Sequence, residues 1–125
     1  HHTAPINSIY ALHEALRLAC DETLENLWNR HLNAHFRLKK GLDEMNFNFV
    51  VDKEYRLPQM NSIHIPDGYN DLEVRSRLLN DFNLEIGAGL GKFSGKIWRI
   101  GLMGYNARSE SVDYCLDSLK SVLNK

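Results

Sequence analysis

The sequence predicts an α+β fold, with one small, mainly antiparallel sheet that carries helices on one of its faces. Three observations support this: apolar residues at helical spacing, short runs typical of strands, and a segregation of the long helices from the strands. The chain has 125 residues, of which 43% are hydrophobic. Because this length suits one ordinary core and is too short for two, we expect residues 1–125 to form a single domain.

The first part of the chain predicts two long helices. Residues from Ile6 to about Cys20 predict the first helix, because apolar side chains recur at intervals of three and four. Asp21 is positioned to cap a second helix, which ends near Gly41 and Asp43. The apolar stripes are Ile9, Leu12, Leu16 and Ala19 in the first helix and Leu24, Trp28, His31, His35, Leu38 and Leu42 in the second.

Two strands follow these helices. Phe47, Phe49 and Val51 alternate with Asn48 and Val50, which is typical of a half-buried strand. The apolar run from Met60 to Ile65 predicts a second strand, closed by the turn Pro66-Asp67-Gly68. These two strands are the predicted nucleus of the sheet.

The rest of the chain predicts a short helix, two more strands and a final helix. Asp71 opens the short helix, and the strands are expected at Leu84–Ile86 and Ile97–Ile100, on either side of the glycine-rich stretch 87–91. The final helix has the clearest apolar stripe in the sequence. Its members are Val112, Cys115, Leu116, Leu119, Val122 and Leu123.

Composition argues against several classes of partner. The net charge is -1 and the pI is about 6.6, so the chain lacks the basic surface of nucleic-acid-binding proteins. No apolar run approaches the roughly 20 residues that span a bilayer, and the N-terminus shows no signal-peptide pattern. We therefore expect no nucleic acid or membrane partner. Cys20 and Cys115 lie on the apolar faces of predicted helices, which favours reduced, buried thiols.

Arg99 is the most informative candidate site residue. It lies in the apolar, strand-like run from Lys96 to Gly101, where a lone buried charge would be costly, so the position predicts a carboxylate partner. A guanidinium offers a rigid pair of donors that matches a carboxylate. The sequence thus predicts an anion site, most simply for a small carboxylic acid. The structural alternative is an edge-strand arginine that reaches solvent or pairs with an internal Asp or Glu.

Other chemistries have weaker support. His31 and His35 are four residues apart and could share a metal, but without a third ligand at a defined spacing we expect packing or hydrogen bonding and no metal. Lys92 and Lys96 flank the glycine stretch and could form a Schiff base only if desolvated, so we expect them to be solvated. No serine or cysteine has the setting of a nucleophile.

A series of short motifs runs through the whole chain in order. They are His1-His2-Thr3-Ala4-Pro5, Ser8-Ile9-Tyr10-Ala11-Leu12, Glu14-Ala15-Leu16, Leu24-Glu25-Asn26, Arg56-Leu57-Pro58, Pro66-Asp67-Gly68-Tyr69, Glu85-Ile86 with Gly89-Leu90-Gly91, Gly95-Lys96, and Arg99-Ile100-Gly101-Leu102-Met103-Gly104. Together they closely resemble class V aminotransferases of the alanine–glyoxylate and serine–pyruvate type. His1-His2 then belongs to the natural sequence and is not an affinity tag.

The resemblance implies a fold type I pyridoxal-phosphate enzyme, of which this chain is the C-terminal small domain with its connecting helices. It implies that Arg99 binds the α-carboxylate of the substrate and that Thr3 reaches the cofactor phosphate of the neighbouring subunit in a homodimer. It also implies that the Schiff-base lysine lies outside this chain, so the chain alone is expected to be inactive. At Lys92-Phe93-Ser94 the sequence departs from the family, where a proline-containing turn is common.

The activity implied is transfer of an amino group from alanine or serine to glyoxylate, in a peroxisome or mitochondrion, or in the cytoplasm of a prokaryote. Two alternatives stay open. One is a cysteine desulfurase or kynureninase relative; desulfurases need a mobile loop cysteine, whereas both cysteines here are expected in helices. The other is a non-enzymatic α+β module that binds an amino acid through Arg99.

Overall fold

A computed structural model describes residues 3–123, so the His1-His2 motif lies outside the described residues. The chain forms two compact units, the first up to Arg30 and the second from His31 onward. The single domain expected from the length stays a prediction. The helices and strands are α1 (Ile6–Glu22), α2 (Leu24–Glu44), β1 (Met60–His64), α3 (Asp71–Phe82), β2 (Gly87–Ala88), β3 (Ile97–Gly101) and α4 (Ser109–Leu123).

In the first unit, the junction between α1 and α2 is built on Thr23 and not on Asp21. Thr23 has a positive φ of 70°, and its backbone N–H donates to the carbonyl of Cys20, which ends α1. Its carbonyl then accepts from Leu27 at the start of α2. Asp21 lies within the last turn of α1 and pairs with Arg17. The prediction that Asp21 caps α2 was therefore wrong.

Helix α1 has no buried residue. Its predicted stripe is amphipathic as expected, but Ile9, Leu12 and Leu16 are all at least half exposed. Cys20 is also exposed, because nothing within the first unit covers this face of the helix, so the expectation of a buried thiol was wrong for Cys20. Cys115 in α4 is buried as predicted.

The second unit contains an antiparallel sheet with the strand order β1-β3-β2. Alternate residues of β3 divide between its two faces. Ile63, Trp98 and Ile100 belong to a core formed with α2, α3 and α4, whereas Ser62 and Arg99 lie on the opposite face. The predicted α+β fold, with helices packed on one face of the sheet, is confirmed.

Two of the four expected strands differ from the prediction. At 47–51 the backbone bends at Val50, so the segment reaches β1 through a single bridge between Phe49 and Ile63. Leu84 does not join the sheet. Its N–H donates to the carbonyl of Leu78, just after Asn83 in the left-handed conformation, and this bond caps the C-terminus of α3. The ladder with β3 therefore starts only at Gly87.

The final helix shows the closest agreement between sequence and structure. Every member of its predicted stripe is buried in α4. Helix α2 follows its stripe from His31 to Leu42, whereas Leu24 and Trp28 are exposed. Within residues 3–123, no helix is long and apolar enough to cross a bilayer.

Candidate functional site

Arg99 lies at the centre of the sheet. It occupies the middle of β3, where it pairs with Ser62 on β1 and with Gly87 on β2. It is therefore not an edge-strand residue, and its side chain is half-buried on the face opposite the helices. A cation held in this position is surrounded by backbone and small side chains on both flanks.

The Arg99 side chain leans toward β2. Its Nε donates to the carbonyl oxygen of Ala88 at 2.8 Å. A Cβ built on Gly87 would lie 3.4 Å from both Nε and Nη2 of Arg99, so the guanidinium rests against the bare backbone of β2. Among residues 3–123, no carboxylate lies within ion-pair distance of Arg99. The internal carboxylate partner considered from the sequence is thus not found in the described chain.

A hydrogen bond from a buried indole anchors β3 directly beside Arg99. Trp98 is fully buried, and its indole Nε1 donates to Asp71 Oδ1 at 2.9 Å. Arg75 also donates to Asp71, at 2.8 Å, one turn along α3. The Arg75 hydrogen bond is the main cause that holds the pKa of Asp71 below its usual value, and the Trp98 bond acts in the same direction. The N-terminus of α3 is therefore tied to the strand that carries Arg99.

The sequence pattern does not predict this anchor. At Asp71 the pattern predicts only a helix start, because a carboxylate at that position already satisfies capping and dipole rules. Trp98 gave one signal, since a buried indole N–H needs an acceptor. The acceptor at Ala88 gave none, because it is a backbone carbonyl that any residue would supply.

The glycines of the stretch 87–91 differ in whether the fold requires them. A Cβ on Gly89 would lie 2.0 Å from the carbonyl oxygen of Phe93, and Gly91 has a φ of +55°, so the fold itself requires glycine at both positions. Gly87 has no positive φ and would meet only van der Waals contacts. Lys92 and Lys96 nearby are exposed, which confirms that they are solvated.

Thr3 lies in the first unit, three residues before α1 begins at Ile6. It is exposed, and the helix N-cap is Pro5, which makes no side-chain capping bond. Within residues 3–123, Thr3 forms no hydrogen bond. The role at a cofactor phosphate that the resemblance implies for Thr3 stays a prediction.

The two histidines of α2 have a structural setting. Both are buried, and Nδ1 of His35 lies 2.7 Å from Oδ1 of Asn61 on β1. This confirms the expected hydrogen bonding for His35. In the described part of the chain, no three His, Cys, Asp or Glu side chains come together as a possible metal site.

The known proteins that are similar to this chain include aminotransferases. No protein-family model matches the chain. It is 44% identical over 124 residues to the alanine–glyoxylate aminotransferase of Mus musculus, covering 98% of this chain and 30% of that protein. It is 38% identical over 123 residues to the (S)-ureidoglycine–glyoxylate transaminase of Bacillus subtilis (strain 168), covering 98% of this chain and 30% of that protein.

Solved structures agree with the sequence matches. The crystal structure of an alanine–glyoxylate aminotransferase from Nostoc sp. superimposes with a TM-score of 0.92 at 50% identity, over 98% of this chain and 33% of that one. The chain therefore spans about a third of the length of the proteins that it resembles. By sequence and fold, the chain is a homologue of the C-terminal portion of class V aminotransferases of the alanine–glyoxylate type.

Proposed function

We propose that the whole protein is a pyridoxal-phosphate-dependent transaminase that transfers the amino group of alanine or serine to glyoxylate. With alanine, the products are pyruvate and glycine. The observation that carries the proposal is the Arg99 guanidinium, which is held at the centre of the sheet without a carboxylate partner in the described chain. Homology to aminotransferases supports the reaction class.

The names of the relatives support glyoxylate more strongly than either donor. The mouse relative is named for alanine and glyoxylate, whereas the Bacillus relative is named for ureidoglycine and glyoxylate. Glyoxylate, the amino-group acceptor, is the substrate that both names contain. We therefore infer glyoxylate as the common acceptor, and alanine or serine as the donor to be tested.

Arg99 binds the α-carboxylate that amino acids and keto acids share. The bond from Nε to the Ala88 carbonyl fixes the plane of the guanidinium, which leaves the outer Nη donors for the substrate. Because donor and acceptor both carry this carboxylate, one arginine serves both halves of the reaction. Holding the substrate by its carboxylate orients the amino or keto carbon toward the reactive group.

Bound pyridoxal phosphate would stabilise negative charge on the substrate carbon and carry the amino group between donor and acceptor. From this chain, Thr3 would donate its hydroxyl to the cofactor phosphate of the partner subunit in a homodimer. The exposed, unbonded hydroxyl of Thr3 within the described residues supports that role. We propose the peroxisome or mitochondrion as the compartment in a eukaryote, and the cytoplasm in a prokaryote.

Product analysis tests the reaction directly. The full-length protein is incubated with pyridoxal phosphate, glyoxylate and either L-alanine or L-serine, and the products are followed by NMR. We expect glycine to accumulate in step with pyruvate or hydroxypyruvate. Absence of glycine with both donors would remove the proposal. Release of sulfur from L-cysteine would favour the desulfurase alternative, although Cys20 and Cys115 both lie in helices.

Subunit mixing tests the role of Thr3. Thr3→Val keeps the shape and removes the donor, which should weaken cofactor binding by about 1.5–3 kcal/mol. Subunits with Thr3→Val are mixed with subunits that lack the cofactor-binding lysine of the full-length enzyme. If Thr3 acts across the interface, each heterodimer contains one intact site, and activity returns at limiting cofactor. No return of activity in verified heterodimers would mean that Thr3 does not act in the partner's site.

A further inference from the structure

A small cavity opens between helix α2 and the segment that leads into β1. Its volume is about 250 Å³, near the lower end of the range for ligand pockets, so it suits a small molecule. Among the described residues, no carboxylate lines this cavity. Its lining combines apolar side chains with side chains that carry nitrogen, and includes His35, Phe36, Lys39, Lys53, Arg56 and Pro58.

Arg56 is held in place while part of its guanidinium stays unbonded. Its Nε donates to the carbonyl oxygen of Val51 at 2.7 Å, and its Cζ lies 4.3 Å from the centre of the Phe49 ring. Within residues 3–123, neither Nη atom of Arg56 has a hydrogen-bond partner, and no carboxylate lies within ion-pair distance of it. A guanidinium fixed in this way suits an oxyanion, because its donors form a rigid fork that matches phosphate or carboxylate oxygens.

The charge of the cavity favours a dianion over a monoanion. Lys53 is exposed and has no ion pair in the described chain, and the acidic residues on either side of it in the sequence do not line the cavity. Lys39 pairs with Asp43, so it adds little net charge. Arg56 and Lys53 therefore leave two positive charges without a partner, and a phosphate monoester carries about −1.5 to −2 at pH 7. A carboxylate would balance only one of these charges.

The aromatic part of the lining indicates the other half of the ligand. Phe36 is 56% exposed, so the described part of the chain leaves most of this ring uncovered. Its neighbour His35 is buried and bonded to Asn61, and the centroids of the His35 and Phe36 rings lie 5.7 Å apart at a tilt of 49°. An aromatic or apolar group is able to pack on such a surface, beside the cations that hold its phosphate.

We propose that this cavity binds a small organic phosphate, namely a phosphate monoester whose carbon part is aromatic or otherwise apolar. Arg56 and Lys53 bind the phosphate oxygens, and Phe36 and Pro58 contact the carbon part. The site uses neither Arg99 nor Thr3, so the proposal stands independently of the proposed transaminase function. A ligand bound here contacts both α2 and the segment before β1, so it also stabilises the folded chain.

The test titrates phenyl phosphate into the cofactor-loaded full-length protein by isothermal titration calorimetry, while the absorbance of the cofactor is followed in parallel. We expect binding without a change in that absorbance. Phenyl sulfate has a similar shape but a single charge, and it should bind about threefold or more weakly. Phe36→Ala should weaken phenyl phosphate by about three- to tenfold and leave inorganic phosphate within about twofold.

Two variants test the cations. Arg56→Gln should weaken phenyl phosphate by about tenfold or more, because charge-assisted hydrogen bonds are lost. Lys53→Gln should weaken it by about two- to fivefold. Lys53 is exposed and makes no hydrogen bond or ion pair within residues 3–123, so this variant decides the question if Arg56→Gln does not fold.

Lys40→Gln is the matched control, because Lys40 is an exposed lysine of α2 that does not line the cavity. It should leave the affinity for phenyl phosphate unchanged, and so should Arg99→Lys. Absence of binding at millimolar concentration, an unchanged affinity in Lys53→Gln, or an equal loss in Lys40→Gln would each overturn the proposal. A change in cofactor absorbance on binding would also overturn it, since phenyl phosphate would then occupy the cofactor site.

Discussion

Trp98→Phe should destabilise the chain by about 3 kcal/mol. The change removes the indole N–H that donates to Asp71 at 2.9 Å, a bond to a charged acceptor worth about 1.5–3 kcal/mol. Asp71 keeps Arg75 as a partner, so the lower end of that range applies. The smaller ring also leaves part of a fully buried site unfilled, which adds about 1–1.5 kcal/mol. The two terms together give about 3 kcal/mol.

The measurement is equilibrium unfolding in urea, followed by far-UV circular dichroism at several pH values. The pKa of Asp71 is lower in the folded chain than its ordinary value, so the stability that its charge supplies is present above about pH 3.9 and is lost as the pH falls further. The cost of Trp98→Phe should therefore shrink by about 1 kcal/mol once the pH falls below the lowered pKa of Asp71 in the folded chain, because the acceptor then becomes neutral.

Asp71→Asn is the matched background, because the asparagine amide keeps an acceptor oxygen but does not titrate. In that background the cost of Trp98→Phe should not change over the same range of pH. A cost below about 1 kcal/mol at neutral pH, or the same pH dependence in both backgrounds, would refute the reasoning that this hydrogen bond anchors β3.

Two further predictions follow from the glycines and the thiols. Gly89→Ala should lower the free energy of unfolding by about 2 kcal/mol or more, because its Cβ would lie 2.0 Å from the Phe93 carbonyl oxygen. Gly87→Ala should change the free energy of unfolding by less than about 1 kcal/mol. Urea unfolding compares the two variants, and equal costs would contradict the close approach at Gly89. With iodoacetamide at pH 8, Cys20 should be alkylated rapidly and Cys115 slowly, because Cys20 is exposed while burial raises the pKa of Cys115 to about 12. Peptide mass spectrometry gives the two rates of alkylation, and equal rates would be inconsistent with the burial of Cys115.

Helical periodicity predicted the parts of the fold that depend on one buried face. The stripe of α4 is buried at every predicted position, because each apolar side chain there has a single core to face. Helix ends were less predictable. Asp21 has the right chemistry for a cap, yet the chain turns at Thr23, two residues later, where a positive φ ends α1. Capping rules describe which residues suit a helix start and do not fix where the chain turns.

Strand positions failed for a similar reason. Leu84 has the composition of a strand residue, but its backbone N–H is used by the end of α3, so it is not available to the sheet. The position of Arg99 within a strand was predicted, whereas its place on the central strand depends on the order β1-β3-β2, which no local pattern contains. Its bond to the Ala88 carbonyl likewise involves no side chain that a sequence could display.

We propose that Arg99 binds the substrate carboxylate, and this role is open to a direct test. The most direct test is the half-reaction of the full-length enzyme with L-alanine, measured for Arg99→Lys together with cofactor affinity. Replacing a two-pronged donor by a point charge should cost about 2–4 kcal/mol in kcat/KM, or roughly 30- to 1000-fold, with cofactor affinity nearly unchanged. Arg37→Lys, which alters an exposed ion pair with Asp113, is the control and should leave the half-reaction unaffected. An unchanged half-reaction in Arg99→Lys would contradict the account, since Arg99 would then be a structural residue.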